Sequence, residues 1–377
     1  MSKAAELAKI GEVATNSQIG GRRNIIINGA MKVAQRSTSV TGIGGSNGYF
    51  TVDRFHIGQD ATAGRLTMTQ TADGPSGFAN CIKLDCTTAD TSIAAGEIMW
   101  LEQRIEGQDL QQFKKGTSDA EEFTVSFYVK GNANATYALA LDDVDNARQV
   151  AKLFSVTTAW TRIIMTFPAD TTGAFDDDNA LSLSVRIWLH AGSTYSSGTL
   201  QSSAWAGRTS ANRAAGITSF FDSTDRTFFL TGLQLEVGSQ ATPFEHRSFG
   251  EEINLARRYC VVYRSTAAGD AIHASGNRGV FGLGSAHNSS NPVTFTELPV
   301  EMRATPSLTI SAAADFAFDR GFASDAAYSA LSLQGLRSTT KTVGLIGSTS
   351  GLSNGDAGIL GASPDEVNAK LTFDSEL

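Results

Sequence analysis

The chain has 377 residues, 41% apolar and 18% charged, with a formal charge of −8. That supplies ordinary cores for two or three domains and excludes a disordered chain. Arg22-Arg23 and Arg257-Arg258 are isolated basic pairs, so the clustered charge that nucleic acid demands is missing, and no run of about 18 apolar residues could span a membrane.

Residues 3–13, KAAELAKIGEV, predict a short helix with Ala4, Leu7, Ile10 and Val13 on one stripe. A helix this short is marginal alone, so it needs a partner. Residues 14–23 read as a flexible joint, which closes an N-terminal segment of 1–23. The first thirty residues carry no basic segment followed by an apolar core, so no secretory signal is expected and synthesis in a cytoplasm is.

Strand signals recur over 24–247. Phe123, Val125, Phe127 and Val129 alternate with polar neighbours, Trp160–Phe167 ends at Pro168, and Leu181, Leu183, Val185, Ile187 and Leu189 alternate with Ser182, Ser184, Arg186, Trp188 and His190. In 227–237, Phe229, Thr231, Leu233, Leu235 and Val237 fall on one face. Turn clusters at 42–48, 73–77, 131–135 and 170–179 separate the strands. Many short strands without a long helix predict an all-β fold, a jelly-roll-like β-sandwich. Ser248 followed by Glu251 is a capping-box spacing, so 248–264 reads as a helical connector. Residues 265–377 read as a smaller β-rich C-terminal domain, with strands at 292–311, Thr342–Ile346 and Ala369–Phe373. It has few large apolar residues and is expected to complete its core against copies of itself. Cys81 and Cys86 lie five apart, on opposite faces if CIKLDC is a strand, and Cys260 is expected buried in the connector helix.

Several stretches resemble tail-fibre and appendage proteins of tailed bacteriophages, whose central domain is similar to carbohydrate-binding sandwiches. They are NIIINGAM (24–31), YFTVDRF (49–55), LEQRIEGQDL (101–110), FTVSFYVKG (123–131), WTRIIMTFPADTTG (160–173), LHAGSTYSSGT (189–199), LTGLQLEVGSQATPFEHRSFGEEINLARRYC (230–260) and LPVEMRATPSLTI (298–310). The resemblance implies a structural virion protein: a homotrimeric fibre, assembled in the host cytoplasm, that binds host surface polysaccharide and recognises glycan. Its N-terminus, through Leu7 and Ile10, is expected to dock on other tail proteins, an adaptor, nozzle or baseplate. A head fibre, decoration or tail-junction protein binding only virion proteins is the alternative, and a polysaccharide depolymerase a third reading.

Sugars bind exposed aromatic faces beside polar groups. Trp188 projects to the polar side of its strand, and Tyr195 and Trp205 follow in a polar loop region, so these three are the glycan-binding candidates. The competing reading buries Trp188 and Trp205 under loops or at a subunit contact. Asp176, Asp177 and Asp178 form an acidic loop run that suits a structural Ca²⁺, with a solvated turn as the alternative. Glu97, Glu102 and Glu106 could supply paired carboxylates, with a salt bridge to Arg104 or surface exposure as the competing role. The five histidines are scattered, and His190 is expected at the surface. GGSNG at 44–48 matches the nucleophile-elbow pattern but leads toward a strand, not a helix. No catalytic set is expected.

Overall fold

The computed structural model describes residues 3–4, 23–265, 279–321, 325–363, 366 and 368–377. Leu7 and Ile10 lie outside the described residues. The chain forms two compact units, the first running to Glu252 and the second spanning Ile253–Glu376. Among the described residues, no helix is long and apolar enough to cross a membrane.

The strands of the first unit are β1 (Ser39–Ile43), β2 (Gly48–Tyr49), β3 (His56–Asp60), β4 (Arg65–Thr71), β5 (Cys81–Thr88), β6 (Ile98–Glu106), β7 (Phe123–Gly131), β8 (Ala135–Asp143), β9 (Arg148–Val156), β10 (Thr161–Phe167), β11 (Leu181–Ala191), β12 (Ala206–Gly207) and β13 (Thr227–Val237). A one-turn helix, α1 (Ser193–Ser196), follows β11. One sheet has the order β1-β4-β5-β13-β7-β10, the other β12-β9-β8-β11-β6-β3-β2. The chain crosses between the sheets from β1 to β2, β3 to β4, β5 to β6, β6 to β7, β7 to β8, β9 to β10, β10 to β11 and β12 to β13, the alternation of a jelly-roll-like fold. Apolar faces of both sheets close one core, including Phe123, Val125, Phe127 and Val129 from β7 and Leu183, Val185, Ile187 and Leu189 from β11.

Two sequence expectations fail here for local reasons. In β13 the register with β7 shifts between Thr231 and Gln234. Gly232 takes a φ of 63° at this bulge, a left-handed conformation that favours glycine. The core face is therefore Phe228 and Leu230 before the bulge and Leu233 and Leu235 after it, not the single parity from Phe229 to Val237. The connector helix α2 (Phe249–Arg257) starts as the capping spacing predicts, with Glu251 N–H donating to Ser248 Oγ at 3.2 Å. It stops before Cys260, which instead opens a strand and is buried. None of the three cysteines forms a disulfide.

The second unit holds β14 (Cys260–Arg264), β15 (Val280–Ala286), β16 (Pro292–Glu297), β17 (Ser307–Ile310), β18 (Phe316–Asp319), β19 (Asp325–Ala327), β20 (Ala330–Leu333), β21 (Thr342–Ser348), β22 (Ala357–Ala362) and β23 (Lys370–Asp374). They form a three-stranded sheet, β14-β23-β17, and a seven-stranded sheet, β19-β18-β22-β15-β16-β21-β20. Phe281, Phe316, Phe318, Leu345, Leu360, Leu371 and Phe373 anchor its core.

Candidate functional site

The outer face of the β12-to-β2 sheet carries the densest chemistry of the first unit. Register sets it. Trp188 of β11 stands opposite Trp100 of β6, and Arg186 opposite Glu102. On the flanking strands Gly58 and His56 of β3 pair with Trp100 and Glu102, and Ala138 and Ala140 of β8 with Trp188 and Arg186. Small neighbours make room for the indoles: a Cβ on Gly58 would stand 2.3 Å from the Trp100 ring. Trp100 and Trp188 meet at 5.0 Å between ring centroids, and Trp188 and Tyr195 at 5.9 Å. The Arg186 guanidinium lies 4.3 Å from the Trp100 ring centre and that of Arg213 5.1 Å from Trp188, both favourable cation–π placements.

Ion pairs run beside this aromatic row. Asp142 Oδ2 accepts from Arg186 Nη1 at 2.8 Å and from Arg213 Nη2 at 3.0 Å, while Arg208 Nε stands 3.2 Å from Oδ1. Three guanidiniums thus converge on one carboxylate. Burial, then the adjacent Arg186, pull the Arg213 guanidinium below its ordinary pKa. Glu102 accepts from Arg186 Nε at 2.8 Å and Arg104 Nε at 2.9 Å, with His56 Nδ1 at 3.2 Å. Burial pushes the Glu102 carboxyl up, but Arg186, His56 and Arg104 outweigh it and hold it well below the usual carboxylate range.

The residues singled out from sequence fall differently. Trp188 does project to the outer side, yet it is fully buried. The segment after β11 lies over it: Ala151 N–H donates to Gln201 O, Ala214 N–H to Tyr195 O and Thr218 N–H to Thr136 O. Ala214, Leu200 and Ile217 then pack into the same apolar cluster as Trp188. Trp205 is also buried, inside the main core, with Nε1–H donating to Pro168 O at 2.8 Å and its ring 5.5 Å from Phe123. Neither indole offers a face to a sugar. Tyr195 is half-buried against Trp188. Trp100, half-buried, is the aromatic that sequence reasoning missed. Its parity with Glu102 and Arg104 in IMWLEQRIE was the available signal.

Asp176, Asp177 and Asp178 are exposed and do not converge: Asp178 Oδ1 accepts from Ala180 N–H, and Asp176 N–H donates to Asp145. Among the described residues, the three-member group of His, Cys, Asp or Glu suited to a metal is Asp90, Glu97 and His190. His190 is not at the surface; it is fully buried, with Phe221 edge-on at 5.3 Å. Burial lowers its imidazole pKa against the pull of Asp90 and Glu97. Of the three glutamates, Glu102 pairs with Arg104, Glu106 accepts from Gln108 Nε2, and Glu97 precedes β6. A groove of about 420 Å³ is lined by Gln111, Lys114, Thr117, Asp119 and Phe175 among others. Phe175 there is buried, so the groove presents no open aromatic face.

No family model and no curated protein matches the sequence. Among solved structures, the enzymatically active domain of bacteriophage CBA120 tailspike protein 4 aligns at 11% identity over 57% of this chain and 21% of its own, with a TM-score of 0.29. This chain thus spans about a fifth of the tailspike chain it matches. The CBM22-1 xylan-binding domain of Paenibacillus barcinonensis Xyn10C aligns at 10% identity, 59% and 100% coverage and TM-score 0.28. A family 11 carbohydrate-binding module from Clostridium thermocellum aligns at 10% identity, 53% and 95% coverage and TM-score 0.28. At these scores the likenesses define no family for this chain.

Proposed function

We propose that the chain is a structural virion protein of a tailed bacteriophage, a homotrimeric tail appendage that docks through its N-terminal segment and recognises host surface glycan. The ordered fibre-like stretches across 24–311 support the class. The observation that carries glycan recognition is Trp100: a half-buried indole stacked on Arg186, with Tyr195 on the same aromatic row. An indole edge beside fixed polar groups is the chemistry a sugar ring selects. Arg104, Arg186, Arg208 and Arg213 outnumber Asp142 and Glu102, and this positive surplus favours a carboxylated sugar. Weak contacts at one site would multiply across three copies. Trimerisation finds support in Leu283 and Phe295, which face each other across β15 and β16 and are 66% and 43% exposed.

A glycan array of acidic and neutral bacterial surface polysaccharides, probed with the full chain, tests this reading. Binding concentrated on carboxylated glycans is expected; no binding to any host glycan counts against recognition. A second reading, a head fibre or decoration protein that contacts only virion proteins, is favoured by the burial of Trp188 and Trp205. Locating the N-terminus against capsid rather than tail in intact particles decides for it. Depolymerase action finds less support, because a carboxylate held ionised, as Glu102 is, makes a poor general acid. No new reducing ends are expected after incubation with the bound polysaccharide.

A further inference from the structure

A second cluster in the first unit takes no part in the glycan reading. Asp90 lies two residues after β5, Glu97 directly precedes β6, and His190 sits near the end of β11. Their ligand atoms all lie within 4.8 Å of one another. The three residues are 5%, 6% and 0% exposed.

Each is fixed from behind. Asp90 N–H donates to Phe221 O at 2.8 Å, and Asp90 Oδ2 accepts from Thr62 Oγ1 at 3.0 Å and Ala63 N–H at 2.9 Å. His190 Nδ1 is 2.8 Å from Ser219 Oγ, which also accepts from Phe221 N–H at 3.0 Å. Gly192 N–H donates to Glu97 O at 2.7 Å, tying the glutamate's backbone to the end of β11. Two side-chain atoms remain. His190 Nε2 and Glu97 Oε2 are buried, lack a hydrogen-bond partner and face each other at 3.5 Å. At 3.5 Å the two make only a long ion pair, and an Asp90 carboxylate oxygen lies within 4.8 Å of both, so three buried ligand atoms close around one spot.

Charge narrows what that partner is. Buried Glu102 is met by Arg186 and Arg104, and buried Asp170 by Lys115 and Arg148. Among the described residues no lysine or arginine pairs with Asp90 or Glu97; His190 is the one basic group beside them. Two buried carboxylates without a compensating cation are strongly unfavourable. The gap calls for positive charge and for a ligand that accepts both nitrogen and oxygen donors.

We propose that Asp90, Glu97 and His190 form a buried site for a divalent transition-metal ion of the zinc class. One imidazole nitrogen and two carboxylate oxygens suit Zn²⁺, with water for a fourth ligand, whereas Ca²⁺ takes oxygen donors throughout. The ligands come from two segments far apart in the chain, Asp90 and Glu97 from the β5–β6 connection and His190 from β11. The ion therefore acts as a staple that joins the β5–β6 connection to the end of β11, and its role is structural.

The test uses the full chain, stripped with a chelator and titrated with ZnCl₂ by calorimetry. One ion per chain and a raised unfolding midpoint are expected. Glu97→Gln keeps the side-chain shape and should weaken binding at least about tenfold. Asp177→Asn, in the exposed acidic loop, should bind as the parent does. No saturable binding by the parent, undiminished binding by Glu97→Gln, or loss in Asp177→Asn each overturns the site. Co²⁺ gives a second readout that does not depend on a variant folding. The parent should show the intense visible bands of a tetrahedral Co²⁺ centre, and a spectrum identical to aqueous Co²⁺ overturns the proposal.

Discussion

The outer face of β11 in the first unit and that of β15 and β16 in the second are treated in opposite ways, although the first unit also exposes Leu153 and Ile164. In β11 the polar-side residues Ser182, Ser184, Arg186, Trp188 and His190 are all buried. In the second unit Leu283, Ser285, Phe295 and Glu297 on β15 and β16 all stand exposed. One unit hides polar and charged groups beneath its own loops and must satisfy them internally. The other leaves apolar side chains uncovered, which costs nothing only if another surface meets them. A strand's alternation thus says which residues share a face, and the connecting loops decide whether that face is open.

Breaking the buried ion pairs of the first unit should give the largest effect. Asp142→Ala leaves Arg213 and Arg208 without their carboxylate and Arg186 with Glu102 alone, and should cost about 3–5 kcal/mol, read by urea unfolding. Phe127→Ala removes a fully buried core ring and should cost a similar ~3–5 kcal/mol. If the units unfold separately, that loss falls on one transition alone, and Phe318→Ala should move the other. A single shared transition would erase the distinction between the units.

Acid sharpens the comparison further. Glu102 has a folded pKa held below its unfolded value, so its stabilisation is fully present above the ordinary glutamate range and is lost as pH falls through the depressed value. Stability of the first unit should therefore drop on acidification, and Glu102→Gln should flatten that limb while lowering stability near neutral pH. A parallel acid limb in parent and variant would contradict the assignment. The smallest effect on folding of the single chain belongs to the exposed face: Leu283→Lys should change the stability of the dissociated chain by less than about 0.5 kcal/mol. The same change should convert a three-chain mass to a single-chain mass in light scattering. A parent that is already monomeric would end the fibre reading.

Much of the architecture was legible in the sequence. Phe123 to Val129 and Leu183 to Leu189 carry period-two patterns that both sheets bury as expected. Gly232 marked the bulge that splits the core face of β13, a signal visible in LTGLQ but outweighed by the longer alternation. The site was less legible. The alternation assigns Trp188 and His190 to the correct strand side, but it leaves Trp188 between an open and a covered reading and suggests a surface His190, because the cover from 192–222 depends on tertiary contacts such as Thr218 to Thr136. Trp100 gains its setting from β3, β6 and β11 coming together, and the Asp90, Glu97 and His190 cluster from residues up to a hundred positions apart.

Calorimetric titration of the full chain with a carboxylated host polysaccharide, repeated for Trp100→Ala, tests glycan recognition most directly. The parent should bind and the variant should lose about 0.5–1.5 kcal/mol of affinity, the range for an aromatic contact, measured at a temperature where both stay folded, since removing the ring from Trp188 and Arg186 also lowers the unfolding midpoint. Equal binding by both proteins, or none by the parent, would contradict the role given to the Trp100 face.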